Sequence, residues 1–151
     1  MGSVQEWIVK HAFWLHRWLY WTDWGDVAKI ERASMDGTSR KTLHNTSLVW
    51  PNAITVDYDT QTLYWADANL NKIETSGVDG SNRKVVTTAF IFHPFDITFY
   101  NGVLYWTDWL TDSILRTQIN SPDNVDQLFL ALDTEPMGLH VVTRERQPLI
   151  G

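Results

Sequence analysis

A threefold internal duplication constrains this chain more than any other feature. Leu19-Tyr20-Trp21-Thr22-Asp23 recurs as Leu63-Tyr64-Trp65-Ala66-Asp67 and again as Leu104-Tyr105-Trp106-Thr107-Asp108, with the tyrosines 44 and 41 residues apart. Other segments repeat in register with it. Lys29-Ile30-Glu31 answers Lys72-Ile73-Glu74 and Ser113-Ile114-Leu115, and Met35-Asp36-Gly37 answers Val78-Asp79-Gly80. Trp50-Pro51-Asn52 answers His93-Pro94-Phe95 and, more faintly, Glu135-Pro136-Met137. Within one period, residues 53–57, 63–66, 72–78 and 84–88 are short β-prone runs separated by turn chemistry, and Asp79-Gly80 is a hairpin signal. Four strands in a period of about 40–45 residues is the blade of a β-propeller. No apolar spacing of helical period persists, so helical repeats are excluded.

The expected fold is therefore all-β: a partial propeller of three four-stranded blades, plus one further inner strand near residues 137–142. Residues 1–18 form an atypical N-terminal segment, read as a degraded first strand near residues 7–13. Residues 19–147 hold the three repeats, and 148–151 begin a linker. Rings close with about four to eight blades. Three blades leave an apolar face open at each end, to be covered by further blades or by dimerisation.

Composition narrows the function classes. With 44% hydrophobic residues the chain is not disordered, and a net charge of -6 opposes general nucleic-acid binding. The absence of cysteine excludes disulfides, thiolate metal sites and thiol catalysis. No apolar run is long enough to span a bilayer, so this segment does not insert directly into a membrane. The histidines at 11, 16, 44, 93 and 140 lack metal-ligand spacing, and no metal or cofactor is expected.

The Tyr-Trp-Thr-Asp motif resembles the class B (YWTD) repeat of the low-density-lipoprotein receptor and its relatives, over about residues 19–147. That resemblance implies a six-bladed propeller of which this chain is the C-terminal half. Pro136-Met137-Gly138-Leu139-His140-Val141 followed by Gln147-Pro148 is similar to the last strand of such propellers, after which an EGF-like module follows in the family. Tyr20-Trp21-Thr22-Asp23-Trp24-Gly25 with Trp50-Pro51-Asn52 is especially similar to the Wnt co-receptor branch, and relatives including nidogen share much of it. The implied role is that of a non-enzymatic ligand-binding module on the extracellular side of the plasma membrane, part of a larger LDL-receptor-related receptor. Its partners would be a protein or peptide ligand, the remaining blades and the EGF-like module.

Side chains alternate faces along a strand, so Tyr20, Tyr64 and Tyr105 should point to one side and Trp21, Trp65 and Trp106 to the other, filling the wedge between blades. The resemblance implies that Asp23, Asp67 and Asp108 accept backbone hydrogen bonds between blades; a ring of acids holding calcium is the alternative.

A binding face follows from antiparallel connectivity. Trp24 and Trp109 follow their motifs on the edge that also carries the blade-to-blade links, with Trp50, Asn52, Phe92 and His93. The opposite edge carries Asp36-Gly37, Asp79-Gly80 and the turn at 58–61, all small or polar except Tyr58. Tryptophan is a common hot-spot residue, and Asp26, Asp67 and Asp112 would favour a basic ligand. By resemblance to the Wnt co-receptor branch, an Asn-X-Ile ligand would set its asparagine on Asn52, with Trp24, Trp50 and Trp109 lining the groove. Packing of the tryptophans on the rim is the competing reading. Asn45-Thr46-Ser47 is a glycosylation sequon. Two other function classes stay open: a calcium-dependent propeller hydrolase, for which Asp57, Asp59 and Asp96 would be ligands, and a matrix assembly protein like nidogen.

Overall fold

The computed structural model describes residues 18–129 and 135–142; the expected strand near 7–13 and the linker at 148–151 lie outside the described residues. Eleven strands are assigned among them: β1 (Trp18–Asp23), β2 (Lys29–Ser34), β3 (Lys41–His44), β4 (Pro51–Asp57), β5 (Thr62–Asp67), β6 (Lys72–Gly77), β7 (Lys84–Thr87), β8 (Pro94–Tyr100), β9 (Val103–Asp108), β10 (Ser113–Gln118) and β11 (Val125–Phe129). They form three antiparallel meanders, ordered β1-β2-β3, β4-β5-β6-β7 and β8-β9-β10-β11. The all-β, propeller-like expectation holds. The repeated aromatic motif is β1 in the first sheet and the second strand of the other two. β1 begins at Trp18, one residue before the expected start of the repeats.

The second sheet lies between the other two, and β4 packs against both β1 and β8. Strand alternation decides which ring meets which neighbour. Tyr20 joins Ile30, Ile54, Val56, Leu63 and Trp65 in the seam between the first and second sheets. Tyr64 joins Ile97, Phe99, Leu104 and Trp106 in the seam between the second and third, stacked on Phe99 with centroids 5.4 Å apart. Within the second sheet, the tyrosine thus faces one neighbouring sheet and the tryptophan the other. Trp65 and Trp106 are fully buried, and each such ring removes about 150–250 Å² from water. Trp21, over whose ring the Arg40 guanidinium lies at 5.4 Å, and Tyr105 stay half-buried.

One expectation fails. Residues 135–142 form no strand. A β-ladder needs a partner strand, and none pairs with this segment among the described residues. It lies against the third sheet instead: Thr107 Oγ1 donates to the Met137 carbonyl (3.0 Å) and the Leu139 N–H to Asp96 Oδ2 (2.8 Å).

Candidate functional site: an aromatic series on one sheet edge

The β1–β2, β5–β6 and β9–β10 turns and the links at 45–50 and 88–93 emerge on one edge of the three sheets, as antiparallel order requires. Two β-bulges shape that edge. Pro51 pairs with Asp67 and Ala53 with Ala66, so Asn52 is the extra residue; Pro94 pairs with Asp108 and Asp96 with Thr107, so Phe95 is the extra one. A bulge re-aims the side chain of its extra residue. Asn52 Nδ2 donates to the Pro94 carbonyl at 3.0 Å, which joins the two inner strands.

Four rings follow one another here. Trp50 lies 6.3 Å from His93 at an interplanar angle of 58°. His93 stacks on Trp109 at 5.7 Å, and Trp109 stacks on Phe95 at 4.3 Å. Trp109 Nε1 donates to the Pro136 carbonyl at 3.0 Å, which fixes the indole's orientation. Trp50 stays 41% exposed at the outer end of the series.

Buried carboxylates anchor the links that carry these rings. Asp108 Oδ2 accepts the N–H groups of Phe92 (2.9 Å) and His93 (2.8 Å), while Oδ1 accepts those of Leu110 and Thr111. Asp67 accepts the N–H groups of Val49, Trp50, Asn69 and Leu70 in the same way. Asp67 is 0% exposed, and this corrects its assignment as a ligand contact: its oxygens are turned inward onto backbone donors. Among the described residues, Asp23 accepts the Gly25 N–H and pairs with Lys29 at 3.5 Å.

The other expected residues sit on the same edge without joining the ring series. Trp24 is exposed on the β1–β2 turn and Phe92 on the β7–β8 link. Asp26 is exposed and Asp112 half-buried. Asn45 is exposed at the start of its link. Phe95 and Phe90 escaped the sequence reading. Phe95 occupies the register position of Asn52, a signal that was legible. Phe90 is 53% exposed with φ of 53°, a left-handed conformation that a bulky residue rarely adopts. Of the large apolar side chains left exposed, Trp24, Val27, Val49, Trp50, Leu70, Phe90, Phe92 and Leu110 all lie on this edge. The far edge exposes Met35 but carries the Asp36 and Asp79 turns, whose carboxylates sit below their usual pKa because Thr38 and Ser81 donate hydrogen bonds to them. Among the described residues, no group of three or more His, Asp or Glu side chains is gathered as a metal ion would need. Asp57 instead turns its carboxylate onto the Asp59 N–H and the Thr60 hydroxyl.

Known proteins resemble this chain along most of its length. The profile of the low-density lipoprotein receptor repeat class B family matches residues 17–58 and 61–100. The vitellogenin receptor Yl of Drosophila melanogaster is 35% identical over 138 residues, 91% of this chain and 7% of the receptor. The human low-density lipoprotein receptor-related protein 5-like protein is 35% identical over 130 residues, 84% of this chain and 50% of that protein. The chain thus spans half or less of these relatives. Among solved structures, a chain of a nidogen/laminin complex superposes with a TM-score of 0.67 at 34% identity, covering 80% of this chain and 43% of that one. A gluconolactonase from Xanthomonas campestris superposes at TM-score 0.59 but only 16% identity, a likeness of fold alone.

Proposed function

Because the chain belongs to the low-density lipoprotein receptor class B repeat family, we propose that it is a non-enzymatic ligand-binding module on the extracellular side of a larger cell-surface receptor. The observation that carries this reading is the ring series Trp50–His93–Trp109–Phe95 beside Asn52, exposed at Trp50, half-buried along the rest and held on one edge by buried aspartates. Rigid aromatic groups on a fixed scaffold bind at low entropic cost. The occupant is a protein or peptide segment that is basic or of Asn-X-Ile type. Asn52 offers its amide to a partner amide, the rings offer apolar walls, and the negative net charge steers a cationic ligand. Trp24 and Phe92 extend the contact surface, and Asn45 carries a glycan at its margin. A role in Wnt signalling is the finer form of this reading, and the remaining blades with an EGF-like module complete the receptor segment.

Isothermal titration of the chain with a lysine-flanked Asn-X-Ile peptide tests it. The expected result is saturable binding that weakens with salt and fails when the peptide's asparagine and isoleucine become alanine. Indifference to that change, or no heat at all, removes the reading. A second reading, matrix assembly, is favoured by the likeness to the nidogen/laminin complex; a laminin fragment that binds where the peptide does not would select it.

A further inference from the structure

The two seams between sheets are filled differently on the edge opposite the ring series. In the seam between the first and second sheets, Arg32 of β2 lies over the Trp18 ring at 4.4 Å. Its Nη1 donates to the Val78 carbonyl at 2.9 Å, and its positive charge beside the Tyr20 hydroxyl opposes the upward push of burial on that group's pKa. The strand registers identify the equivalent positions one sheet further on. Tyr64 pairs with Thr75 as Tyr20 pairs with Arg32, and Thr62 pairs with Gly77 as Trp18 pairs with Ser34. The Ile119 N–H donates to the Gly102 carbonyl as the Val78 N–H donates to that of Gln61. In the seam between the second and third sheets, two large side chains have therefore become Thr75 and Thr62. Both threonines line an open groove of about 770 Å³, with Tyr64, Val78, Asp79 and Ile119 among its other walls.

We propose that this groove binds an arginine side chain carried by a basic peptide partner, which takes the place that Arg32 fills in the other seam. The polar features that receive Arg32 have counterparts, while the Trp18 ring is replaced by Thr62. The carbonyl of Ile119 stands for that of Val78, and the Tyr64 hydroxyl stands for that of Tyr20. Val78 and Ile119 provide apolar wall for the methylenes, and planar guanidinium donors suit converging carbonyl and hydroxyl oxygens better than an ammonium does. Asp79 contributes to the lining, and the net charge of -6 favours a cation. Lys84 also lines the groove; its like charge opposes a cation, but the residue is exposed and its charge is screened by solvent. The site lies on the far edge from the ring series and does not depend on the function proposed there.

Titration of the chain with N-acetyl-arginine amide, followed by NMR, tests this. Saturable shifts at Thr62, Thr75 and Ile119, larger than those caused by the matched lysine amide, are expected. Thr75→Arg, which fills the groove from within as Arg32 does, should abolish them while keeping the thermal midpoint. Thr62→Trp, which restores the ring beneath the guanidinium, should tighten binding roughly two- to fivefold. An alanine-flanked arginine peptide should bind more tightly than free arginine; the reverse order would overturn the peptide as source. Shifts that scatter over the acidic surface, persist in Thr75→Arg, or ignore Thr62→Trp would overturn the site.

Discussion

The carboxylate of Asp67 accepts the backbone N–H of Val49 at 2.8 Å across eighteen residues of sequence, and no part of Asp67 reaches solvent. One oxygen pair thereby holds both the link into the second sheet and the turn that leaves β5. A charge-assisted bond is worth about 1.5–3 kcal/mol, and removing the acceptor strands buried donors as well. Asp67→Ala should cost on the order of 3 kcal/mol or more in urea unfolding. Asp23→Ala should cost less, because among the described residues Asp23 accepts one backbone N–H and pairs with Lys29, and its side chain keeps 13% exposure. Equal losses would show that the anchoring role is wrongly assigned.

Arg83 offers a second contrast within the repeats. It makes a two-pronged pair with Glu74 (3.0 and 2.7 Å), donates to the Thr46 and Ser47 carbonyls, and lies over Trp65 at 5.4 Å. Burial pushes the Glu74 carboxyl up, but hydrogen bonds from Arg83 and Lys72 outweigh it and hold the pKa below the usual value. Taking one partner from a buried pair costs about 3–5 kcal/mol. Lys72 still pairs with Glu74 at 3.0 Å when Arg83 is removed, so Arg83→Ala is expected at or below the lower end of that range. The equivalent Arg40→Ala should lose less, since the Arg40 side chain is 52% exposed and Glu31 keeps Thr42 and Lys29 as partners. Paired denaturation curves give the ranking.

Acid should loosen the seam between the first and second sheets. His44 is buried, stacked on Trp65 at 5.1 Å and hydrogen-bonded to Ser76 at 3.0 Å. Burial, followed by the Arg83 charge, pushes its pKa below the ordinary value, with Glu74 opposing. The unfolded chain takes up this proton near pH 6.5 while the folded chain resists it, so stability falls as pH drops below about 6.5. Urea midpoints should decline from pH 7.5 to 5.5, and His44→Phe should flatten that stretch. A further decline belongs to Glu31 and Glu74, whose contribution is present above about pH 4.5 and lost as pH falls through their lowered values. A midpoint insensitive to pH in both proteins would refute the histidine's part.

Binding on the ring series makes its own prediction. Trp109→Ala removes a ring stacked on both His93 and Phe95 and should weaken peptide binding by about 2 kcal/mol, roughly thirtyfold. Asp36→Ala, on the far edge, should leave affinity unchanged. Calorimetric dissociation constants that shift alike in both variants would place the ligand elsewhere.

The strands were legible because their signals are local. Each reading of the second repeat (residues 53–57, 63–66, 72–78 and 84–88) falls within one to two residues of β4 to β7. The segregation of aromatic links to one edge was legible too, because antiparallel order alone determines where a link emerges. Asp67 was misread as a ligand contact because its position on that edge is a matter of connectivity, whereas its burial depends on where backbone donors 17 and 18 residues away come to rest. The strand expected at 137–142 carries the right residues, yet no described strand pairs with it.

By itself, the sequence determined the three sheets, their strand order and the alternation that points Tyr64 and Trp65 to opposite neighbours. These follow from period-two geometry and turn chemistry, which act within a few residues. Only the tertiary structure decided that Trp50, His93, Trp109 and Phe95 form one series, and that the Arg32 position leaves an open groove one seam later. Those outcomes depend on the packing of one sheet against the next, where bulges re-aim single side chains and the volume filled in one seam is left empty in another.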